Sequence, residues 1–140
     1  MPLFLDTGFL IALESSGDNH HKAARAFWSG YALAPEPLVT TTCVFDETVT
    51  FFNSRGLHAK AAEVGERLLA SSLVTVVHVD EGLFKDAWRY FLRHADKRYS
   101  LTDCVSFAVM RKQGIKRALS FDQHFTQAVT SVCWKNDPAC

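Results

Sequence analysis

Several features that mark extended, exported or membrane-bound chains are scarce in this 140-residue sequence. Four prolines and seven glycines are spread thinly, with no long Gly/Ser/Pro-rich tract, which disfavours linker and disorder readings. No apolar run approaches the roughly 20 residues that span a bilayer. The opening Met1-Pro2-Leu3-Phe4-Leu5-Asp6 lacks a basic region followed by a long apolar stretch, so a soluble, cytoplasmic protein is expected. Cys43, Cys104, Cys133 and Cys140 form no C-x-x-C pair, which argues against a zinc site and, in a reducing compartment, against a structural disulfide. A Cys133–Cys140 pair at the tail is the one pairing that stays open. Fifteen Lys and Arg balance fifteen Asp and Glu, so no global positive field announces nucleic acid. The local run of Arg111, Lys112, Lys116 and Arg117 reads first as a solvated face. His20, His21, His58, His78, His94 and His124 show no H-E-x-x-H spacing, and G-x-S-x-G is absent. Of the six, His124 is notable for following Asp122 by two.

What the chain does have is apolar mass. Nearly half its residues (48%) are hydrophobic and eleven are Phe, enough for one compact core, so residues 1–140 are expected to form a single domain. Leu3-Phe4-Leu5 reads as a short strand ended by Asp6, and Gly8 to Leu13 as the first turns of a helix. Asp18 is placed to cap a second helix through His20 to Tyr31, and Pro35 and Pro37 close a loop. Leu38 to Thr41 reads as a strand, followed by a helix with Val44, Phe45, Val49 and Phe52 on one face, ending near Gly56. Residues 57–70 are rich in helix formers, and Leu73 to Val79 is β-branched. Helices are expected over Gly82 to Ala95 and over Leu101 to Lys112, the latter ended by Gly114. Arg117 to Phe121 forms a strand ended by Asp122, and Val129 to Trp134 adds an edge strand. Strands alternating with helices imply an α/β fold, a three-layer α/β/α domain with a central, mostly parallel sheet.

Asp6 and Asp122 fall just past the carboxyl ends of expected strands, where open α/β sheets place their ligands. Asp103 lies at the start of a helix, and Glu47 or its neighbour Asp46 on another. An acidic pocket assembled from these residues suits magnesium or manganese, which prefer oxygen ligands and act together with water and phosphate. Each acid also has a plainer reading. Asp6 and Asp122 could cap the helices that follow them. Asp103 stands three residues after Ser100, the spacing of a capping box. Glu47 lies beside the apolar stripe of its helix, where periodicity does not separate it from Asp46.

The sequences around the acids resemble the PIN-domain family, in particular VapC-like toxins. Leu5-Asp6-Thr7-Gly8-Phe9 is similar to the family's opening strand and acid, and Thr41-Thr42-Cys43-Val44-Phe45-Asp46-Glu47 to its glutamate helix. Ser100-Leu101-Thr102-Asp103-Cys104-Val105-Ser106-Phe107 and Ala118-Leu119-Ser120-Phe121-Asp122-Gln123-His124-Phe125 are similar to its last two acidic motifs. The resemblance covers nearly the whole chain. It implies that Asp6, Glu47, Asp103 and Asp122 bind Mg2+ or Mn2+, that Thr7 assists through its hydroxyl, and that Glu47 rather than Asp46 is the ligand. It further implies an endoribonuclease that cuts single-stranded regions of structured RNA, leaving a 5′-phosphate and a 3′-hydroxyl, in a homodimer inhibited by an antitoxin protein.

Three rival readings compete with this one. A receiver-like signalling domain would use Asp6 and Asp80, yet the chain has neither an acidic pair after the first strand nor a Lys after the last. A haloacid-dehalogenase-like phosphatase would want an Asp where Gly8 stands. A catalytically silent PIN-like binding module would retain the ligands without turnover.

Overall fold

The computed structural model describes residues 1–128 and 131–132, with side chains through Phe125. Five strands, β1 (Leu3–Leu5), β2 (Leu38–Thr41), β3 (Val74–Val77), β4 (Arg117–Leu119) and β5 (Ser131–Val132), form one sheet in the order β3-β2-β1-β4-β5. Every pairing is parallel. Leu3, Phe4 and Leu5 are all at most 2% exposed. Because successive strand residues point to opposite faces, both faces of the sheet are covered by helices, as the expected three-layer fold requires.

The helices are α1 (Thr7–Glu14), α2 (His21–Tyr31), α3 (Thr42–Asn53), α4 (His58–Ala70), α5 (Glu81–Arg93), α6 (Leu101–Gln113) and α7 (Gln123–Ala128). Helix α6 is the most enclosed, with every residue from Asp103 to Met110 buried. A helix so placed carries apolar residues around much of its circumference rather than along one stripe. Its ends are well defined: Ser100 caps the start, and Gly114 closes it in the left-handed conformation at φ 67°, a geometry that glycine adopts without a Cβ penalty.

The element order matches the sequence expectation, and the differences are local. Asp18 does not cap α2 directly. Its Oδ1 accepts from the amide of His20 at 2.8 Å, the residue immediately before the helix begins at His21. Helix α3 stops at Asn53 and α5 at Arg93, short of Gly56 and Ala95. Strand β4 ends at Leu119 because Ser120 and Phe121 are engaged elsewhere, Phe121 stacking on Phe9 with centroids 5.7 Å apart. Of the expected last strand, Ser131 and Val132 pair with Arg117 and Ala118. The proposed Cys133–Cys140 pair lies outside the described residues. Among the described residues no helix is long and apolar enough to cross a membrane.

The topology fixes where a ligand belongs. The chain runs outward from β1 to β2 and β3, then crosses back through α5 and α6 to place β4 on the other side of β1. The strand order therefore reverses between β1 and β4, and the crevice beyond their carboxyl ends is the favoured binding position in such sheets.

Candidate metal centre

Leu5 is paired with Leu119, so the residues that follow, Asp6 and Ser120, leave the sheet side by side. The Asp6 backbone is extended at the N-terminus of α1, but its carboxylate does not cap the helix as an N-cap side chain would, the Thr7 amide being its one partner there. Oδ2 instead accepts from Ser120 Oγ at 2.8 Å. Ser120 Oγ in turn accepts from the Asp122 amide at 3.0 Å, so one buried hydroxyl ties two of the acids together. Thr40 Oγ1 donates to the Leu5 carbonyl at 2.9 Å and holds the end of β1 from the other side.

Asp103 arrives from the first turn of α6. Its amide donates to Ser100 Oγ at 3.0 Å, and its Oδ2 accepts from the Ser100 amide at 3.1 Å, the two halves of a capping box. That same Oδ2 lies 3.2 Å from His124 Nδ1. Asp122 Oδ1 accepts from the His124 amide at 2.8 Å and lies 3.3 Å from its Nδ1. The imidazole is thus placed against two carboxylates, with Tyr99 edge-on at 5.2 Å. Donor atoms of Asp103, Asp122 and His124 all lie within 4.8 Å of one another.

The electrostatics are those of an anionic pocket. Burial pushes the Asp6 pKa up from 3.8 to about 7; the charges of Asp103 and Asp122 add to the rise, against the lowering effect of hydrogen bonds from Ser120 and Thr7. Asp103 is raised as well, first by burial and then by Asp122, with the Ser100 and His124 hydrogen bonds opposing. Among the described residues, no Lys or Arg makes an ion pair with Asp6, Asp103 or Asp122.

Glu47 stands apart from this trio. It is exposed on α3 and reaches the site's rim through Thr7, whose Oγ1 donates to Glu47 Oε1 at 3.0 Å. Asp46 is turned along its own helix, accepting from Thr50 Oγ1 at 3.3 Å. Asp80 caps α5 by accepting from the Leu83 amide at 2.8 Å, so it serves the helix rather than the pocket. Two residues outside the expected ligand set belong to the arrangement. Ser120 and His124 stand two positions either side of Asp122, inside the Ala118 to Phe125 segment that resembles the family's last acidic motif.

Carboxylates without a Lys or Arg partner, two of them buried, fit a hard divalent cation, which takes carboxylates, hydroxyls and water. The plainer readings also hold in part, since Asp103 and Asp122 do bond to helix-start amides. A carboxylate has lone pairs enough for both roles.

The PIN domain family profile matches residues 3–129. The chain belongs to the PIN-domain family. Within it, the chain is 40% identical over 126 residues to the 23S rRNA-specific endonuclease VapC20 of Mycobacterium tuberculosis, in both the CDC 1551 and H37Rv strains. That match covers 90% of this chain and 93% of the relative. The crystal structure of M. tuberculosis VapC20, described as a sarcin-ricin loop cleaving toxin, superposes with a TM-score of 0.81 at 38% identity, covering 90% of this chain and 94% of that one.

Proposed function

We propose that this protein is a metal-dependent endoribonuclease that cuts a structured ribosomal RNA, acting as the toxin of a toxin–antitoxin pair in the cytoplasm. The observation that carries the reading is the meeting of Asp103 and Asp122 at the starts of α6 and α7, with donor atoms within 4.8 Å, joined to Asp6 at the end of β1 through the Ser120 hydroxyl and without a Lys or Arg partner among the described residues. Support for the substrate class comes from the VapC20 relative, which is named for 23S rRNA. The domain is taken to span residues 1–140.

In this reading Asp6, Asp103 and Asp122 hold Mg2+ or Mn2+, with Glu47 completing the set from the rim. When bound, the ion neutralises phosphate charge and lowers the pKa of a water nucleophile. Thr7 orients Glu47, and Ser120 fixes Asp6 relative to Asp122. With its Nδ1 protonated, His124 donates to the Asp103 carboxylate, opposes the upward pKa shift that burial imposes, and holds the group in place. No Ser or Cys nucleophile is needed. Homodimerisation is supported by the exposed apolar stripe of Phe84, Trp88, Phe91 and Leu92 on α5, because contiguous exposed apolar surface marks interaction sites.

The test is cleavage of purified ribosomes or 23S rRNA, with sequencing of the new ends. A small number of cuts bearing 5′-phosphate and 3′-hydroxyl, present with manganese and abolished by EDTA, is expected. Undiminished cutting of metal-free samples in EDTA would refute the metal mechanism.

A further inference from the structure

The chain is neutral as a whole, yet its charge is unevenly placed. Eight of the fifteen Lys and Arg fall between positions 85 and 116, against three acids. That stretch is the α5–α6 hairpin, which folds as two closely packed helices. The run of Arg111 and Lys112, which in sequence reads as a solvated end of α6, stands in the fold beside Arg89 and Arg93 of α5. Together with Asp86 and Ala108 these four cations line a groove of about 490 Å³.

The groove is built rather than merely crowded. Arg111 lies over the Tyr90 ring at 4.4 Å, which holds its guanidinium at the helix–helix seam. Arg89 is braced by Asp86 at 2.6 Å. Arg93 and Lys112 are exposed and make no ion pair with any described residue. Helical spacing puts Arg89 and Arg93 on one flank of α5, with buried Leu83 and Ala87 between them and the apolar Phe84 and Trp88 on the other flank. The cationic groove therefore lies on the opposite flank of α5 from Phe84 and Trp88, with Leu92 between the two on the exposed side. It is also separate from the acidic centre but rigidly linked to it. Asp103 occupies the first turn of α6 and Arg111 the last, about 12 Å apart along one buried helix.

From this juxtaposition we infer that the Arg89, Arg93, Arg111 and Lys112 groove is a docking track for the phosphate backbone of the RNA. It seats a segment remote from the scissile bond and so compensates for an acidic centre that repels the substrate. Arginine suits the task because its planar fork matches phosphate oxygens, and Arg89 and Arg111 are already preorganised. Backbone contacts of this kind fix register and orientation without reading sequence. The inference rests on the ribonuclease reading for its substrate, and the experiment separates the two.

Arg93→Gln, Lys112→Gln and the double variant are compared with wild type, all full-length, with thermal unfolding to verify the fold. Both residues are exposed, so folding should be intact. Binding of a fluorescein-labelled ribosomal RNA stem-loop is measured in EDTA across a salt series, and cleavage is measured with manganese. Each single variant should weaken binding and raise KM by about 3- to 10-fold near 0.1 M salt, and should lower the slope of log K against log salt by about 0.7–0.9. The rate at saturating RNA should move by less than about twofold. Arg93→Lys, which keeps the charge, should recover most of the salt slope. If wild type cleaves RNA and the double variant matches it in KM and salt slope, the track is wrong while the nuclease reading stands. If no RNA is cut but binding still depends on Arg93 and Lys112, the nuclease reading fails and the track stands. Dependence of poly-glutamate binding, but not RNA binding, on these residues would assign the groove to an acidic protein and overturn the proposal.

Discussion

Helix α1 carries one acid at each end, and the two have opposite fates. Asp6 begins the helix and Glu14 ends it. By the helix dipole alone Asp6 should be the comfortable anion, sitting at the positive end, and Glu14 the strained one. The structure reverses this. Burial raises the Glu14 pKa, but hydrogen bonds and charge from Lys60 and Arg67, at 2.8 and 2.7 Å, overcome that and hold it below its ordinary value. Asp6 receives one hydroxyl and one amide, faces two further acids, and is pushed up to about 7. Desolvation acts on both, although Asp6 is buried and Glu14 only partly so. The difference lies in whether the fold supplies the cation. Where it does, the carboxylate ties α1 to α4; where it does not, the carboxylate stays uncompensated and holds its proton more tightly, a condition that a bound cation would relieve. A buried acid among acids is thus better evidence of a site than a buried acid as such.

The two acids should differ most in their effect on activity. Asp6→Asn, Asp103→Asn and Asp122→Asn should each lower the single-turnover cleavage rate by about 10²- to 10³-fold, the scale on which loss of one preorganised electrostatic group is felt. Glu14→Gln and Asp80→Asn should leave it within about twofold. Effects within the first group should not add, because the residues act as a unit. A Glu14→Gln variant as inactive as Asp6→Asn would erase the distinction between the two ends of α1.

A smaller effect is expected at Ser120, whose hydroxyl links Asp6 to Asp122. Ser120→Ala should weaken manganese affinity by about 10- to 100-fold, as loss of a group that orients metal ligands commonly does. Cleavage should recover largely at saturating manganese, which loss of a direct ligand would not permit. Isothermal titration with manganese and cleavage at increasing manganese measure the two sides of this prediction.

Much of this arrangement was legible in the sequence, and the reason is local physics. The strands ending at Asp6 and near Asp122 follow from short apolar runs, and Ser100 with Asp103 announces its own capping box. Position at strand ends then follows from the α/β pattern. What could not be read was contact across the sheet. That Ser120 meets Asp6 depends on Leu5 pairing with Leu119, a register between segments more than a hundred residues apart. His124 gave only its spacing from Asp122; its approach to Asp103 depends on how α7 packs against α6. Glu47 could not be told from Asp46 by periodicity, because both are exposed and the Thr7 hydroxyl that engages Glu47 comes from another helix. The cationic groove was hidden for the same reason, its two halves lying on separate helices.

The finest discrimination between the two ends of α1 is the pH dependence of stability without metal. Asp6 has a folded pKa of about 7 against an ordinary 3.8. Below about 4 it is protonated in folded and unfolded chains alike, and its contribution is fully present. As pH rises towards 7 the unfolded chain releases the proton while the folded one retains it, so stability falls with pH across that window and levels off above it. Asn cannot ionise, so in EDTA the stability advantage of Asp6→Asn over wild type should be absent below about pH 4, partial near pH 5 and at its full size near pH 8. Glu14 has the opposite sign. Its folded pKa is lowered, so its contribution is present above its ordinary 4.5 and is lost as pH falls through the folded value. Glu14→Gln should therefore be destabilised by about 1 kcal/mol at neutral pH, modest because Lys60 and Arg67 remain 32% and 53% exposed, and the deficit should close in acid. Manganese at about a hundred times its dissociation constant should add about 2.7 kcal/mol to wild type and to Glu14→Gln at pH 8, and much less to Asp6→Asn. Thermal unfolding of the three proteins at pH 5 and pH 8, with EDTA and with manganese, measures all of these terms. If Asp6→Asn is the less stable protein at pH 8 in EDTA and gains as much from manganese as wild type, Asp6 is a structural acid like Glu14.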